Sequence, residues 1–177
     1  MKTKHLILLL FFSSLLLNSK CKKENEPQLP PETTIGAMTF GCKIDGKVFL
    51  PKDGGGFPGI LIEYPFLGNG PGGGWFLNIA ARDRSVSSSK PGVSITTDSL
   101  LLEEGNTYQL QKQKGSANGL YFLGIFTYKI TPPDSGSLII TKHDKTQRIL
   151  SGRFSFTASR STGEKVTITE GRFDIRY

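Results

Sequence analysis

Histidine, cysteine and tryptophan are scarce in this chain of 177 residues, which has two, two and one of them. Each scarcity removes a class of chemistry. His5 falls in an N-terminal leader, so His143 is left as the single imidazole for a zinc centre or a Ser-His-Asp triad. No nucleophile-elbow sequence accompanies it, and beside Asp144 it reads as part of a solvated turn. Carboxylates are scattered, with Glu103 and Glu104 the one adjacent pair after residue 26; a calcium loop needs oxygen ligands at alternating spacing. No metal ligand set, cofactor site or catalytic residue is therefore expected, and the chain is not read as an enzyme. No apolar run approaches the roughly 20 residues that a membrane-crossing helix requires.

The longest apolar run, Leu6 to Leu17, spans twelve residues broken by Ser13 and Ser14 and follows Lys2 and Lys4. This is the layout of a cleaved signal peptide over residues 1–20, and Cys21 stands where a bacterial lipoprotein is lipidated. Acyl chains there would hold the protein at a membrane, since each buried methylene contributes about 0.8 kcal/mol. Lys20 departs from the small residue that usually precedes the cysteine, so ordinary secretion with cleavage near Ser19 is the alternative. Residues 21–38, polar and interrupted by Pro27, Pro30 and Pro31, are expected to form an extended tether. The run Lys22-Lys23-Glu24-Asn25-Glu26 reads either as a solvated linker or as an export signal.

With Cys21 committed to lipid, Cys42 has no intramolecular partner, which makes a disulfide unlooked-for and places this thiol in the core. Removal of Lys2, Lys4 and Lys20 leaves 19 basic and 15 acidic residues, a charge of +4. The charges alternate along the chain and form no concentrated basic stripe, so nucleic acid is not an expected partner.

From residue 39 to 177, short alternating runs separated by Gly, Pro, Asn and Asp predict a single all-β domain of about nine or ten strands. Asp45-Gly46 predicts a type I′ hairpin that sets Cys42 opposite Phe49. Trp75 to Arg82 reads as a strand with Trp75, Leu77, Ile79 and Ala81 on one face. Tyr121 to Ile130, apolar on both faces, reads as one long central strand. Ser161 to Glu164 predicts the last hairpin, with Phe154, Phe156, Phe173, Ile175 and Tyr177 facing inward. An antiparallel β-sandwich fits best, and a closed or partly open barrel is the alternative.

Gly68-Asn69-Gly70-Pro71-Gly72-Gly73 satisfies the G-x-G-x-x-G pattern, yet it leads into a strand instead of the helix that would meet a pyrophosphate. It reads as a flexible loop, expected at the same end of the sheet as the loop of Asp53 to Gly59. Binding residues concentrate on such loops, which makes Tyr64, Phe66 and Trp75 the candidate ligand-facing aromatics. Trp75 as a core anchor is the competing assignment.

The stretch Leu29-Pro30-Pro31-Glu32-Thr33-Thr34-Ile35-Gly36-Ala37-Met38-Thr39-Phe40-Gly41-Cys42, with Ser151-Gly152-Arg153-Phe154-Ser155-Phe156 and Gly171-Arg172-Phe173-Asp174-Ile175, resembles an uncharacterised family of small β-rich Bacteroidetes lipoproteins. The run after Cys21 is similar to the surface-export signals of such proteins. The resemblance implies an outer-membrane lipoprotein, facing the periplasm or the cell surface, and supplies no catalytic residues. The expected role is non-enzymatic binding of a protein, a glycan or a small apolar ligand through the loop end. A carrier of an apolar molecule inside a barrel and a hydrolase using paired carboxylates are the alternatives.

Overall fold

The structure, a computed structural model, describes residues 27–85 and 90–177. The expected signal peptide and Cys21 lie outside the described residues. Eleven strands run in chain order: β1 (Thr39–Ile44), β2 (Lys47–Phe49), β3 (Ile60–Glu63), β4 (Asn78–Arg82), β5 (Pro91–Thr97), β6 (Thr107–Gln109), β7 (Ala117–Leu123), β8 (Phe126–Lys129), β9 (Gly136–Asp144), β10 (Ile149–Ser159) and β11 (Lys165–Arg176). Every ladder between them is antiparallel.

Two groups of strands are joined through β10. One runs β2-β1-β11-β10-β9-β6, and the other runs β8-β7-β5-β4-β3. The first part of β10 pairs with β9, whereas Ser159 at its end pairs with Lys129 of β8. Strands of eleven and twelve residues, β10 and β11, can serve both layers because a bulge bends them between Phe154 and Phe156, where Glu170 takes a φ of 52°. An extra residue in one strand breaks the ladder locally and increases its twist. The result is sandwich-like, with β2 and β3 at the ends of the path, and it does not close into a barrel.

Side chains fill the space between the layers. Phe40, Phe154, Phe156 and Phe173 are buried, with Phe154 at 5.3 Å from Phe40 and 6.4 Å from Phe173 between ring centroids. Gly171 lies opposite Phe154 across the ladder, where a β-carbon would run into the ring. A carrier with its ligand inside a closed barrel therefore has neither the closure nor the room it requires.

The Asp45-Gly46 hairpin forms as its residues dictate. Asp45 and Gly46 both take positive φ, 47° and 81°, and Cys42 pairs with Phe49. Cys42 is fully buried, and burial pushes its thiol up to about 12. The 121–130 segment differs from expectation: it is a hairpin, β7 turning into β8 through Gly124 and Ile125. Gly124 at φ 59° supplies the first central position of a type II′ turn, and Ile125 is 90% exposed at its tip. Two apolar faces thus belong to two strands, not to one central strand.

Residues 29–38 are also unlike a free tether. They lie across the outer face of β11, where the Asp174 carboxylate accepts hydrogen bonds from the hydroxyl of Thr33 (2.6 Å) and the amides of Ile35 (3.1 Å), Gly36 (2.8 Å) and Ala37 (3.1 Å). Ser151 donates a fifth at 2.8 Å from the neighbouring strand. The carboxylate captures backbone donors that no strand partner would satisfy.

Candidate functional site

The β3–β4 hairpin continues past its last ladder pair. Phe76 N–H donates to Pro65 O at 3.0 Å, Phe66 bridges Trp75, and Leu67 N–H donates to Gly74 O at 2.9 Å. The glycine-rich loop after Leu67 caps this extension and is followed by strand, with no helix. It lies at the far end of β3 from the Asp53–Gly59 loop, which precedes Ile60 and is tied to the other end of β4 by Arg82 N–H to Gly59 O at 2.7 Å. The two loops are therefore not at one end of the sheet, because the length of β3 separates them.

The extended hairpin brings Tyr64 and Trp75 together, with ring centroids 5.1 Å apart. Tyr64 also meets Tyr177 edge-on at 5.1 Å and His143 at 5.7 Å, so four rings from three parts of the chain converge. Tyr64 is buried at their centre, and its hydroxyl accepts from Leu102 N–H at 2.9 Å. Burial pushes the phenol up to about 12, against the opposing effect of that hydrogen bond. Phe66 packs on Trp75 at 5.3 Å but stands half in solvent.

His143 is not part of a solvated turn. It belongs to β9, and its Nδ1 lies 2.8 Å from the Leu102 carbonyl, which can only accept, so the proton sits on that nitrogen. Nε2 lies 2.8 Å from the Tyr177 hydroxyl, and in the neutral ring it accepts from that phenol. Both nitrogens are thus engaged with the scaffold. The register explains why sequence reading misses this residue. Ser151 pairs with Lys142 but Gly152 pairs with Ile140, so Thr141 is an extra residue in β9. One inserted residue moves every later side chain to the other face, which turns His143 inward beside Leu150.

Above these rings opens a cleft of about 600 Å³. Tyr64, Trp75, His143 and Tyr177 form its aromatic wall, and Pro65 and Leu101 add apolar surface. Lys145 and Arg148, from the turn between β9 and β10, and Glu63 from the end of β3 supply its charges. Neither cation forms a salt bridge with a described residue. Tyr177 is shifted upward by burial, with Arg148 drawing it down and Asp144 pushing it up. Of the candidate aromatics, Tyr64 and Trp75 line this cleft and Phe66 supports it from outside. Trp75 is half-buried, packing against the core on one side and lining the cleft on the other. Glu63 is the one carboxylate lining the cleft among the described residues, whereas the hydrolase alternative calls for two. Among the described residues, no group of three His, Cys, Asp or Glu side chains could hold a metal ion.

A protein-family model described as Domain of unknown function (DUF6252) matches residues 85–174. No curated protein and no solved structure matches the chain. The matched stretch runs from β5 through most of β11 and includes His143, Lys145 and Arg148, while Tyr64, Trp75 and Tyr177 lie outside it. Spanning half of the chain and including strands of both layers, the match places this protein in the DUF6252 family, a domain family of unknown function.

Proposed function

We propose that this protein is a lipoprotein domain, tethered to an outer membrane through Cys21, that binds a ligand in the cleft beside Tyr64 and Trp75. The observation that carries the reading is an open concavity whose wall is four rings packed around Tyr64 and whose rim holds two cations without a salt-bridge partner among the described residues. Binding sites for small ligands commonly have this composition, an apolar wall with a few polar groups, in volumes of roughly 300–1,000 Å³. Tyr64 and His143 are held by the Leu102 backbone from behind and Tyr177 by His143, which favours a preformed site with little ordering to oppose binding.

The route of the N-terminal segment supports a tether that leaves the cleft free. Going back from Met38, which meets Arg176, the chain reaches Pro30, whose carbonyl accepts from Arg172 at 3.4 Å. Over these residues the chain runs back along β11 in the direction away from Tyr177. For the anchor, the expected result is that Cys21→Ala moves the protein from the membrane fraction to the soluble fraction and abolishes palmitate incorporation. A protein that takes up no palmitate in its native host would overturn the lipoprotein reading.

Trp75 is the sole tryptophan of the chain, which makes its emission a direct report on the cleft. Titration of the full-length protein with a panel of glycans and small apolar molecules is expected to give a saturable emission change for at least one of them. Tyr177→Ala, which removes a wall of the site, should weaken that binding at least tenfold. No saturable change across the panel would count against a binding role for the cleft.

A further inference from the structure

Accepting the cleft as a binding site, we infer that its ligand is a hydroxylated six-membered ring bearing a carboxylate. The argument rests on where charge and apolar surface lie. Lys145 and Arg148 reach the cleft from one turn, and the acids Asp144 and Glu104 beside that end of β9 are already engaged. The Asp144 carboxylate accepts from the amides of Thr146 (3.0 Å) and Gln147 (2.9 Å), which shapes the turn itself. Glu104 pairs with Lys142 at 3.4 Å and accepts from His143 N–H at 3.1 Å. Two cations are thus presented without a salt-bridge partner among the described residues, and Arg148 offers the planar fork that matches a carboxylate.

Glu63 stands on the β3 side of the same cleft. A carboxylate near it would be repelled, whereas a hydroxyl could donate to it. A ligand with its acid toward Lys145 and Arg148 and its hydroxyls toward Glu63 satisfies both ends, and a simple anion or a neutral apolar molecule satisfies one or neither. The same cleft is lined by the rings of Tyr64, Trp75 and Tyr177. Their negative π faces favour a flat body with weakly positive C–H groups or an aromatic edge. A sugar acid and a phenolic acid share this chemistry.

The test uses full-length protein at low salt, with Trp75 emission and isothermal titration as readouts. The probes are glucuronate against glucose, and 4-hydroxybenzoate against 4-hydroxybenzyl alcohol. At least one acid is expected to bind tenfold or more tightly than its neutral counterpart, with the advantage shrinking as salt rises. Arg148→Gln and Lys145→Gln, both at exposed positions, should each reduce that advantage severalfold; two independent variants guard against a local defect in either. Preference for glucuronate identifies a sugar acid as the source, and preference for 4-hydroxybenzoate a phenolic acid. Equal binding of acid and neutral partner would overturn the inference while leaving a binding role for the cleft intact. Binding of none of the four probes overturns it as well, and the wider panel then decides whether the cleft binds anything.

Discussion

Asp174→Asn is expected to destabilise the domain by about 3 kcal/mol, through loss of a buried charged acceptor with five donors aimed at it. The side chain is 1% exposed although it lies on the outer face of β11, because residues 33–37 cover it. An amide in its place keeps one oxygen but turns an N–H₂ group either toward the amides of Ile35 and Ala37 or toward the amide of Gly36. Donors would then face donors. The pH dependence gives a second measure of the same interaction. Burial alone would raise this carboxyl, but the hydrogen bonds from Thr33, Ala37, Ser151 and Gly36 outweigh it and hold the group at about 2, below its ordinary 3.8.

A folded-state value below the unfolded one means that the stabilisation is complete above about pH 4 and is lost as pH falls through 2. The shift corresponds to roughly 2 kcal/mol, in keeping with the mutational figure given that the amide also introduces a repulsion. Urea unfolding of the parent and the Asn variant at pH 7, and at steps between pH 4 and 2, measures both. The parent should lose this increment across the acid range and the variant should not. An unchanged midpoint at pH 7, or parallel acid profiles, would refute the role assigned to Asp174.

Leu102→Ala should cost about 3 kcal/mol, within the range of 2–5 for emptying a buried leucine site. Its side chain is fully buried, and its backbone holds the site from behind, donating to Tyr64 and accepting from His143. A cavity at this position would let the Tyr64 and His143 rings relax inward, so Trp75 emission should shift together with the unfolding midpoint. The adjacent residue is the control. Leu101 is 37% exposed and lines the cleft, so Leu101→Ala is expected to stay within about 0.5 kcal/mol of the parent. Similar losses at the two positions would show that Leu102 is not the support described.

Much of the strand pattern was legible because alternation and turn chemistry are local. Leu77, Ile79 and Ala81 face the core as a period of two requires, and the Ser161–Glu164 turn joins β10 to β11 as expected. Gly124 was harder to read. A lone glycine within an apolar run signals a bulge, a close approach or a turn equally well, and pairing of Leu123 with Phe126 decides among them.

The candidate site was half legible for a related reason. Tyr64 and Trp75 flank a glycine-rich connection, which marks them as loop-borne aromatics in any arrangement of the strands. His143 and Tyr177 carry no such mark. Their place at the cleft follows from the extra residue at Thr141 and from the meeting of β9, β11 and the β3–β4 extension.

What the sequence by itself determined is the class of structure: an all-β chain, the Asp45-Gly46 register, the burial of Cys42 and the poverty of catalytic groups. These depend on neighbours a few residues apart and on composition. Only the tertiary structure decided that the layers stay open, that residues 29–38 dock on Asp174 and that four rings converge under two cations. Each of those outcomes joins positions separated by tens of residues, and alternation assigns a side chain to a face without saying what will cover that face. Asp174 shows the difference most directly: its pattern places it toward solvent, and a distant segment of the chain buries it.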